Sequence, residues 1–397
     1  MKFQALFLLL PLAMATPAPI LTSPVNTPIP GQYIVKFKST YMRDQKLRPM
    51  ITRAMGRARK RGADTFEFGT FGGFCDRMNN SMVERVRGLP MANWVEQDVV
   101  MSLDSDKIVK RDFVTQTSTS STWGLGRISY LNPNAGNYTY DRSAGVGTCV
   151  YVVGTGIQTK HPEFEGRATF LANLVGDGVN TDNNGHGTHV AGTIASKTYG
   201  VAKRARLFAV KVLKTDGSGA LSGVVAGINF AVNDAKTRNC RGTVLNLSLG
   251  GGKSTTLNSA AANAVSAGVF LAVAAGNSAI DASNASPASE PTVFTVGATD
   301  SNDQWASFSN FGPAVDMLAP GVAVLSTWKD NGAAVLSGTS MATPHVAGLA
   351  AYLLALEGRM TPAALSARIL SLANGNRITG VPAGTINLLA FNGNPKG

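Results

Sequence analysis

The stretch that decides how this chain folds is residues 338–348, Gly-Thr-Ser-Met-Ala-Thr-Pro-His-Val-Ala-Gly. A serine at a glycine-flanked turn comes just before an alanine-rich helical pattern, so Ser340 is expected near the positive end of that helix. Its own backbone N–H can there point at a developing oxyanion. Pro344 is expected early in the helix, where a backbone N–H has no partner in any case. From this stretch alone, an exposed nucleophile and an ordinary serine N-cap both remain open.

Two of the four histidines lie in residues 182–192, Asp-Asn-Asn-Gly-His-Gly-Thr-His-Val-Ala-Gly. His186 stands between glycines at a predicted helix start, which leaves its ring accessible as a general base. His189 lies one turn later and is expected to pack inside, as is His345 after Ser340. The alternative is a His-x-x-His metal site, but no cysteine or further histidine completes a ligand set there.

Short apolar runs alternate with helical patterns after the first third of the chain. The pattern predicts buried strands at 149–153, 207–212, 244–249 and 269–273, and helices at 187–196, 223–236 and 257–267. This alternation predicts an α/β fold, a doubly wound parallel sheet with helices on both faces. Function in such sheets collects at the carboxyl ends of the strands. Glycine-rich breaks fall at these ends, and Asn277 at one of them either donates to an oxyanion or forms a turn.

The first quarter of the chain is predicted to be organised separately. Residues 1–15 combine a lysine, an apolar run and a small-x-small ending, which predicts a signal peptide and hence secretion rather than an anchor. Residues 16–111 predict a small α+β domain, with strands at 31–38 and 94–102. Residues 112–122 are predicted to form a polar linker. The dibasic pair Lys110-Arg111 just before it is a candidate processing site. Residues 123–393 are predicted to form the larger domain.

The charge balance narrows the class of partner. The 397 residues carry a net charge of +12, most of it in the first quarter, and 44% hydrophobic residues indicate a sizeable core. A nucleic-acid-binding protein would need a basic face on a recognisable module, and the sequence shows none. The basic excess is therefore interpreted as solvated surface. We expect a monomer with no nucleic-acid or membrane partner.

The motifs around His186 and Ser340, with Asn277 between them, resemble the subtilisin-like serine protease family. Residues 151–167 are similar to its proteinase K subfamily, and the resemblance spans 123–393. An α/β-hydrolase esterase would instead show Gly-x-Ser-x-Gly around its nucleophile. The resemblance implies peptide-bond hydrolysis, protein or peptide substrates, and a first unit that is the family's propeptide, an intramolecular inhibitor and chaperone.

The same resemblance implies a role for each site residue. Ser340 would be the nucleophile, His186 the general base, and Asn277 with the Ser340 N–H the oxyanion hole. It further implies no cofactor for catalysis, a structural calcium and two backbone segments that bind an extended substrate. The calcium would be held by the carbonyl oxygens of Pro291 and Val293 and the carboxylate of Asp316, and the substrate by Gly217, Ser218 and Gly219 and by Leu249, Gly250 and Gly251.

One residue of the family pattern is missing. The family's third catalytic residue is an Asp at the end of the first core strand, before Thr-Gly-Ile, and Gly154 stands at that position here. The Asp orients the histidine, fixes its tautomer and stabilises the imidazolium, so a strongly reduced rate is expected. Asp177 and Asp182 are expected to approach the base from a loop and not from behind it. The alternative is a pseudoprotease that binds peptides without useful turnover.

The cysteine count is odd, which raises a question in a secreted chain. Removal of the first unit takes away Cys75, and the resemblance then implies a disulfide between Cys149 and Cys240. Glycosylation is expected at the sequons of Asn137 and Asn284, which are interpreted as surface sites.

Overall fold

A computed structural model of the chain describes residues 16–22, 27–102, 123–133 and 137–394. The expected signal peptide, the whole linker 112–122 and the pair Lys110-Arg111 lie outside these ranges. The described residues form two units in contact with each other, one before residue 103 and one after residue 122.

The N-terminal unit is a mixed sheet with helices packed against it. Its elements are strands β1 (Ile20–Leu21), β2 (Pro28–Phe37), β3 (Asp64–Phe68), β4 (Phe71–Arg77) and β5 (Ala92–Ser102), and helices α1 (Ser39–Arg43), α2 (Arg48–Arg59) and α3 (Asn80–Arg87). The strand order is β1-β5-β2-β4-β3, antiparallel except for β1. Met55 of α2 and Val83 of α3 share a buried core with Val35 and Phe74 of the sheet. The predicted small α+β unit is therefore present.

The larger unit contains the other elements. Its helices are α4 (Trp123–Arg127), α5 (His186–Ala195), α6 (Leu221–Thr237), α7 (Thr255–Ser266), α8 (Thr339–Leu356) and α9 (Pro362–Leu372). Its strands are β6 (Cys149–Gly154), β7 (Ala168–Asn173), β8 (Arg206–Lys211), β9 (Ser218–Ala220), β10 (Thr243–Leu247), β11 (Gly251–Gly252), β12 (Phe270–Ala274), β13 (Ala285–Ser286), β14 (Phe294–Thr299), β15 (Met317–Pro320), β16 (Val324–Trp328), β17 (Gly332–Leu336), β18 (Asn374–Gly375) and β19 (Leu388–Leu389).

A nine-stranded sheet in the order β18-β19-β15-β14-β12-β10-β6-β8-β7 forms the centre of this unit. All its pairs are parallel except β18 with β19. From β6 the chain builds one side of the sheet through β7 and β8 and the other side through β10 and β12. The strand order therefore reverses between β6 and β10, and the crevice at such a point is where these sheets bind ligands.

Strand β6 shows how the two faces are covered. Val150 and Val152 belong to the buried cluster that includes α5 and α8, whereas Tyr151 and Val153 belong to the cluster that includes α6 and α7. Since successive side chains of a strand point to opposite faces, position 154 faces the layer of α5 and α8. The predicted doubly wound α/β fold is confirmed.

Helix α8 runs through the core, with 94% of its 18 residues buried. Its length and hydropathy would suit a membrane span, but here they reflect a position inside the domain. Pro344 is the sixth residue of α8, later than predicted, so its missing N–H leaves the Ser340 carbonyl oxygen without an intrahelical partner. The Ser248 hydroxyl donates to that oxygen at 2.9 Å. The proline is tolerated because Ser248 supplies the missing donor.

The disulfide between Cys149 and Cys240 is confirmed, with Cα atoms 5.8 Å apart and a sequence separation of 91. It ties the start of β6 to the segment after α6. Cys75 is a free, buried cysteine of the N-terminal unit.

A buried ion pair gives a stability prediction. The Arg127 side chain is 1% exposed and its Nε lies 2.6 Å from Asp303 Oδ1. Asp303→Asn leaves a buried guanidinium without its countercharge and is expected to lower the free energy of unfolding by about 3 kcal/mol or more. Glu357→Gln removes the corresponding charge from the more exposed pair with Arg368 and is expected to cost less than about 1 kcal/mol. Denaturant unfolding of both variants measures this, and equal losses contradict it.

Candidate active site

The site residues singled out from the sequence converge on one edge of the large sheet. Gly154 is the last residue of β6, and Asn277 follows three residues after β12. His186 is the first residue of α5, and Ser340 lies in the first turn of α8 rather than before it. The carboxyl ends of parallel strands share an edge, so this meeting follows from the topology.

Ser340 is held by a reciprocal contact with Ser248, which follows β10. The Ser340 Oγ donates to the Ser248 carbonyl oxygen at 3.3 Å, and the Ser248 hydroxyl donates back to the Ser340 carbonyl at 2.9 Å. The Asn246 amide in turn donates to the Ser248 hydroxyl at 2.9 Å. Sequence reasoning missed these two side chains. The available signal was Pro344, because a proline inside a helix requires a replacement donor.

Asn277 is oriented by its neighbour Thr339. Its Oδ1 accepts from the Thr339 backbone N–H at 2.8 Å and from the Thr339 hydroxyl at 2.9 Å. A backbone N–H can only donate, so the contacting amide atom must be the oxygen. This assignment fixes the direction of the Nδ2 donors, which point away from Thr339.

The three histidines of the helices occupy different environments. The His186 backbone N–H donates to Asn184 Oδ1 at 3.0 Å, and the residue is buried, with 4% of its surface exposed, whereas the sequence predicted an accessible ring. Burial lowers the pKa of His189 to about 3 and that of His345 to about 4. Nε2 of His189 lies 3.1 Å from the Val324 carbonyl oxygen, and Nδ1 of His345 lies 2.9 Å from that of Met341. Both are neutral core residues at neutral pH, as predicted.

The two acidic residues before His186 are used for other contacts. Asp182 is fully buried and caps the start of α5: Oδ1 accepts from the N–H groups of Asn184 and Gly185, and Oδ2 from the N–H and hydroxyl of Thr188. Asp177 accepts from the Val179 N–H at 2.9 Å within its own loop. These contacts give both carboxylates structural roles, in agreement with the expectation that neither replaces the missing Asp.

Gly154 leaves room for a side chain. The residue is buried, its backbone is not in the left-handed region, and a Cβ built on it meets no heavy atom of the described residues within 4 Å beyond its chain neighbours. Two residues later the packing is tight, because a Cβ on Gly187 would lie 2.1 Å from the Gly156 carbonyl oxygen. The Gly187 N–H also donates to Thr155 Oγ1 at 2.9 Å. The space at Gly154 therefore adjoins the start of the helix that carries His186.

Part of the N-terminal unit lies along the expected substrate-binding backbone. Strand β5 pairs antiparallel with β9, with Met101 opposite Gly219 and Ser102 opposite Ser218. The Met101 side chain is fully buried. Gly217, with a φ of +81°, forms the turn before β9. An extended segment of this chain thus makes the backbone contacts that the sequence assigned to a substrate.

Two carboxylates of β5 reach across to the larger unit. Glu96 accepts from the Ser254 hydroxyl at 2.7 Å and from the Thr256 N–H at 3.0 Å, at the start of α7. Asp98 accepts from the Ser222 hydroxyl at 2.7 Å and its N–H at 3.2 Å, at the start of α6. Burial raises the pKa of both carboxyls. Sequence reasoning missed them, although their i, i+2 spacing on a strand places them on one face.

A pocket of about 240 Å³ opens beside Asn277. Its walls include Gly250, Gly251 and Gly276, with Ile280 and Asn284 at one side. Leu249, the other expected binding residue, is 2% exposed and contributes to the core.

The residues of the expected calcium site lie away from this edge. Pro291 and Val293 precede β14, and Asp316 precedes β15, so they gather where these parallel strands begin. Asp316 Oδ2 accepts from the Thr295 N–H at 2.7 Å, and burial raises the pKa of Asp316 to about 6. No three His, Cys, Asp or Glu side chains of the described ranges form a metal cluster, so a cation here would rely on Asp316 and carbonyl oxygens. A half-buried carboxylate is a ligand type that suits Ca²⁺.

The two expected glycosylation sites, Asn137 and Asn284, are exposed, and Asn246 is fully buried in β10.

Comparison with known proteins places this geometry in a family. The model of the subtilase family matches residues 145–385. The chain belongs to the subtilase family. It is 48% identical over 99% of its length to all of the cuticle-degrading protease of Metarhizium anisopliae, and 43% identical, with 99% of each chain covered, to proteinase R of Parengyodontium album. The crystal structure of a cold-adapted subtilisin-like serine proteinase matches with a TM-score of 0.66 and 44% identity, over 69% of this chain and 99% of that one.

For this subtilase, the carboxylates of β5 predict how firmly the N-terminal unit is held. After cleavage within residues 103–122, Glu96→Gln and Asp98→Asn are each expected to speed release of the N-terminal unit roughly ten-fold, because each removes a charged acceptor from a helix start. Glu84→Gln is the matched control, since Glu84 is exposed and pairs within its own helix. Surface plasmon resonance or gel filtration measures the release. Equal rates for all three variants contradict the interpretation.

Proposed function

We propose that this subtilase is a secreted serine endopeptidase that cleaves extended peptides slowly, because Gly154 stands where the family has its catalytic Asp. The observation that carries the proposal is the convergence of Ser340, His186 and Asn277 beside a backbone already paired with an extended strand. The Ser340–Ser248 contact favours an endopeptidase over a protein that only binds peptides. It orients a nucleophile that peptide binding alone does not need.

The proposed reaction uses groups of this chain alone. Ser340 Oγ attacks the scissile carbonyl carbon while His186 takes its proton, and the resulting oxyanion accepts from the Ser340 N–H and Asn277 Nδ2. His186 then gives the proton to the leaving amine, and water repeats the sequence on the acyl-enzyme. The Thr339 contacts hold the Asn277 amide in the orientation that this requires.

The family's Asp fixes the tautomer of the base and stabilises its protonated form, and Gly154 has no side chain that could do this for His186. In a subtilisin, loss of this Asp lowers kcat about 3 × 10⁴-fold, roughly 6 kcal/mol of transition-state stabilisation. Residual catalysis from the oxyanion hole and from binding is expected to persist.

The groove supports a preference for uncharged side chains. The pocket beside Asn277 has walls of glycine and alanine with Ile280 at one side, and none of the residues that line it is charged. We propose that it holds the substrate side chain before the scissile bond. The substrate residues before that one would pair through their backbone with Gly217, Ser218 and Gly219, in the way that Met101 pairs with Gly219.

The N-terminal unit is proposed to be a propeptide that inhibits by occupying this groove. Secretion through residues 1–15, removal of the unit near Lys110-Arg111, and glycosylation at Asn137 and Asn284 belong to the same proposal. Asn284 also lines the pocket beside Asn277, so a glycan there would stand at the entrance of that pocket.

A pseudoprotease is the second candidate, and Gly154 is the observation that favours it. In that case the groove binds peptides, and the N-terminal unit, without useful turnover. The two candidates differ in whether the rate depends on Ser340.

Restoring the carboxylate separates them. Because a Cβ at Gly154 meets no obstacle, Gly154→Asp is expected to fold and to raise kcat on a peptide anilide by at least about 10²-fold. Ser340→Ala is expected to reduce the starting protein to background. If Ser340→Ala equals the starting protein, it is a pseudoprotease. If Gly154→Asp brings no gain, Gly154 does not occupy the catalytic position.

We propose in addition that Ca²⁺ binds at Asp316 and stabilises the domain. Burial raises the pKa of Asp316 to about 6, so the folded domain favours its protonated form. The contribution of Asp316 to the free energy of unfolding is therefore largest below about pH 4, which is the ordinary pKa of Asp. This contribution is lost as the pH rises from about 4 to about 6. A bound cation would offset the buried charge above that range.

The raised pKa of Asp316 predicts how added Ca²⁺ changes the Tm at high and at low pH. At pH 8, millimolar Ca²⁺ is expected to raise the Tm, whereas at pH 4 the same addition has little effect. Asp316→Asn is expected to abolish the response, and Asp330→Asn, at an exposed carboxylate, to leave it unchanged. Thermal scans with Ca²⁺ or with a chelator measure it. An unchanged response in Asp316→Asn places the ion elsewhere.

A further inference from the structure

We propose that the space beside Gly154 is a binding site for a small carboxylate, of the size of formate or acetate, which restores catalysis by orienting His186. The inference rests on the proposed function, since it assumes that Ser340 and His186 act as nucleophile and base. Acetate has the heavy atoms of an Asp side chain beyond Cα, so it is the ligand that the missing side chain defines.

The space is internal. Gly154 is buried, yet among the residues that the structure describes a Cβ built on it finds no heavy atom within 4 Å outside its chain neighbours. By contrast, a Cβ on Gly187 or Gly192 would lie 2.1 Å from its nearest neighbour. A buried glycine with this much room marks a void in a region that is otherwise closely packed.

The void faces the catalytic layer. Val150 and Val152 of β6 point to the side of α5 and α8, so a group attached at 154 points the same way. His186 opens α5 and Ser340 lies in the first turn of α8. A carboxylate in this void would therefore lie on the side of the sheet that carries both groups.

One buried cation lies beside the void. Lys211 pairs with Gly154 in the sheet register and so shares its face, and its side chain is fully buried. Its Nζ donates to the Thr155 carbonyl oxygen at 3.1 Å, next to the void. Two other charges are near: Asp177 lies 3.7 Å from the Lys211 Nζ, and Asp182 accepts four hydrogen bonds at the start of α5. Because Asp182 already occupies the start of α5, Lys211 is the cation that a carboxylate in the void would meet.

The bound carboxylate stays chemically unchanged. It accepts a hydrogen bond from the Nδ1–H of His186, which places the basic lone pair on Nε2. Nε2 takes the proton of Ser340 Oγ as Oγ bonds to the carbonyl carbon, and later delivers it to the leaving amine. The carboxylate neither gains nor loses a proton, so the stoichiometry of hydrolysis is unaltered.

The test is a titration with sodium acetate and sodium formate at constant ionic strength, balanced with sodium chloride, on the protein cleaved within residues 103–122 and separated from the released N-terminal unit. We expect a saturable rise in kcat of about 10- to 100-fold on a peptide anilide, well below the roughly 3 × 10⁴-fold that a tethered Asp gives. The rate at which an organophosphorus fluoridate labels Ser340 should rise in parallel. Pivalate, too large for the void, and neutral acetamide should have no effect.

Two variants make the result specific. Gly154→Asn fills the void with an uncharged side chain of the size of Asp, and acetate should no longer stimulate it. Gly154→Asp should be active and insensitive to acetate. An active Gly154→Asp with no acetate response in the starting protein overturns the inference but not the proposed function. An inactive Gly154→Asp overturns the proposed function itself, and equal stimulation by acetate in Gly154→Asn shows that acetate acts elsewhere.

Discussion

Parallel pairing of the central strands is the constraint on which the rest of this molecule depends. It sends the carboxyl ends of β6, β10 and β12 to one edge, and the helices that follow must begin there. Asn277 follows β12 and His186 opens the helix after β7, whereas Ser340 follows the antiparallel pair β16 and β17 and is brought to this edge by α8. Helix α8, buried along almost its whole length, fixes the position of Ser340 relative to every strand it crosses.

Local chemistry then sets the orientation of each group. Pro344 removes one helical hydrogen bond, the Ser248 hydroxyl replaces it, and the same contact holds the serine that the proposal makes the nucleophile. Thr339 does the same for the amide of Asn277. Helix structure and site geometry therefore rely on the same few hydrogen bonds, and damage to one is expected to affect the other.

The N-terminal unit is held to the larger unit by strand pairing and by hydrogen bonds at helix starts. Its strand β5 adds to β9, and Glu96 and Asp98 satisfy the orphan N–H groups at the starts of α7 and α6. A segment held in this way excludes another extended chain from the same backbone. The two units are thus linked by interactions that any peptide in the groove would have to replace.

The amino-acid sequence by itself determined the fold class, the nucleophile and base candidates and the absence of a carboxylate at Gly154, because these depend on periodicity and on short local motifs. Only the tertiary structure decided the rest. That Asp182 caps a helix, that β5 lies in the groove, that Ser248 replaces the donor missing from Pro344 and that a void remains at Gly154 all depend on residues brought together across the fold. Sequence spacing carries no record of such distances, since they are set by how the elements pack.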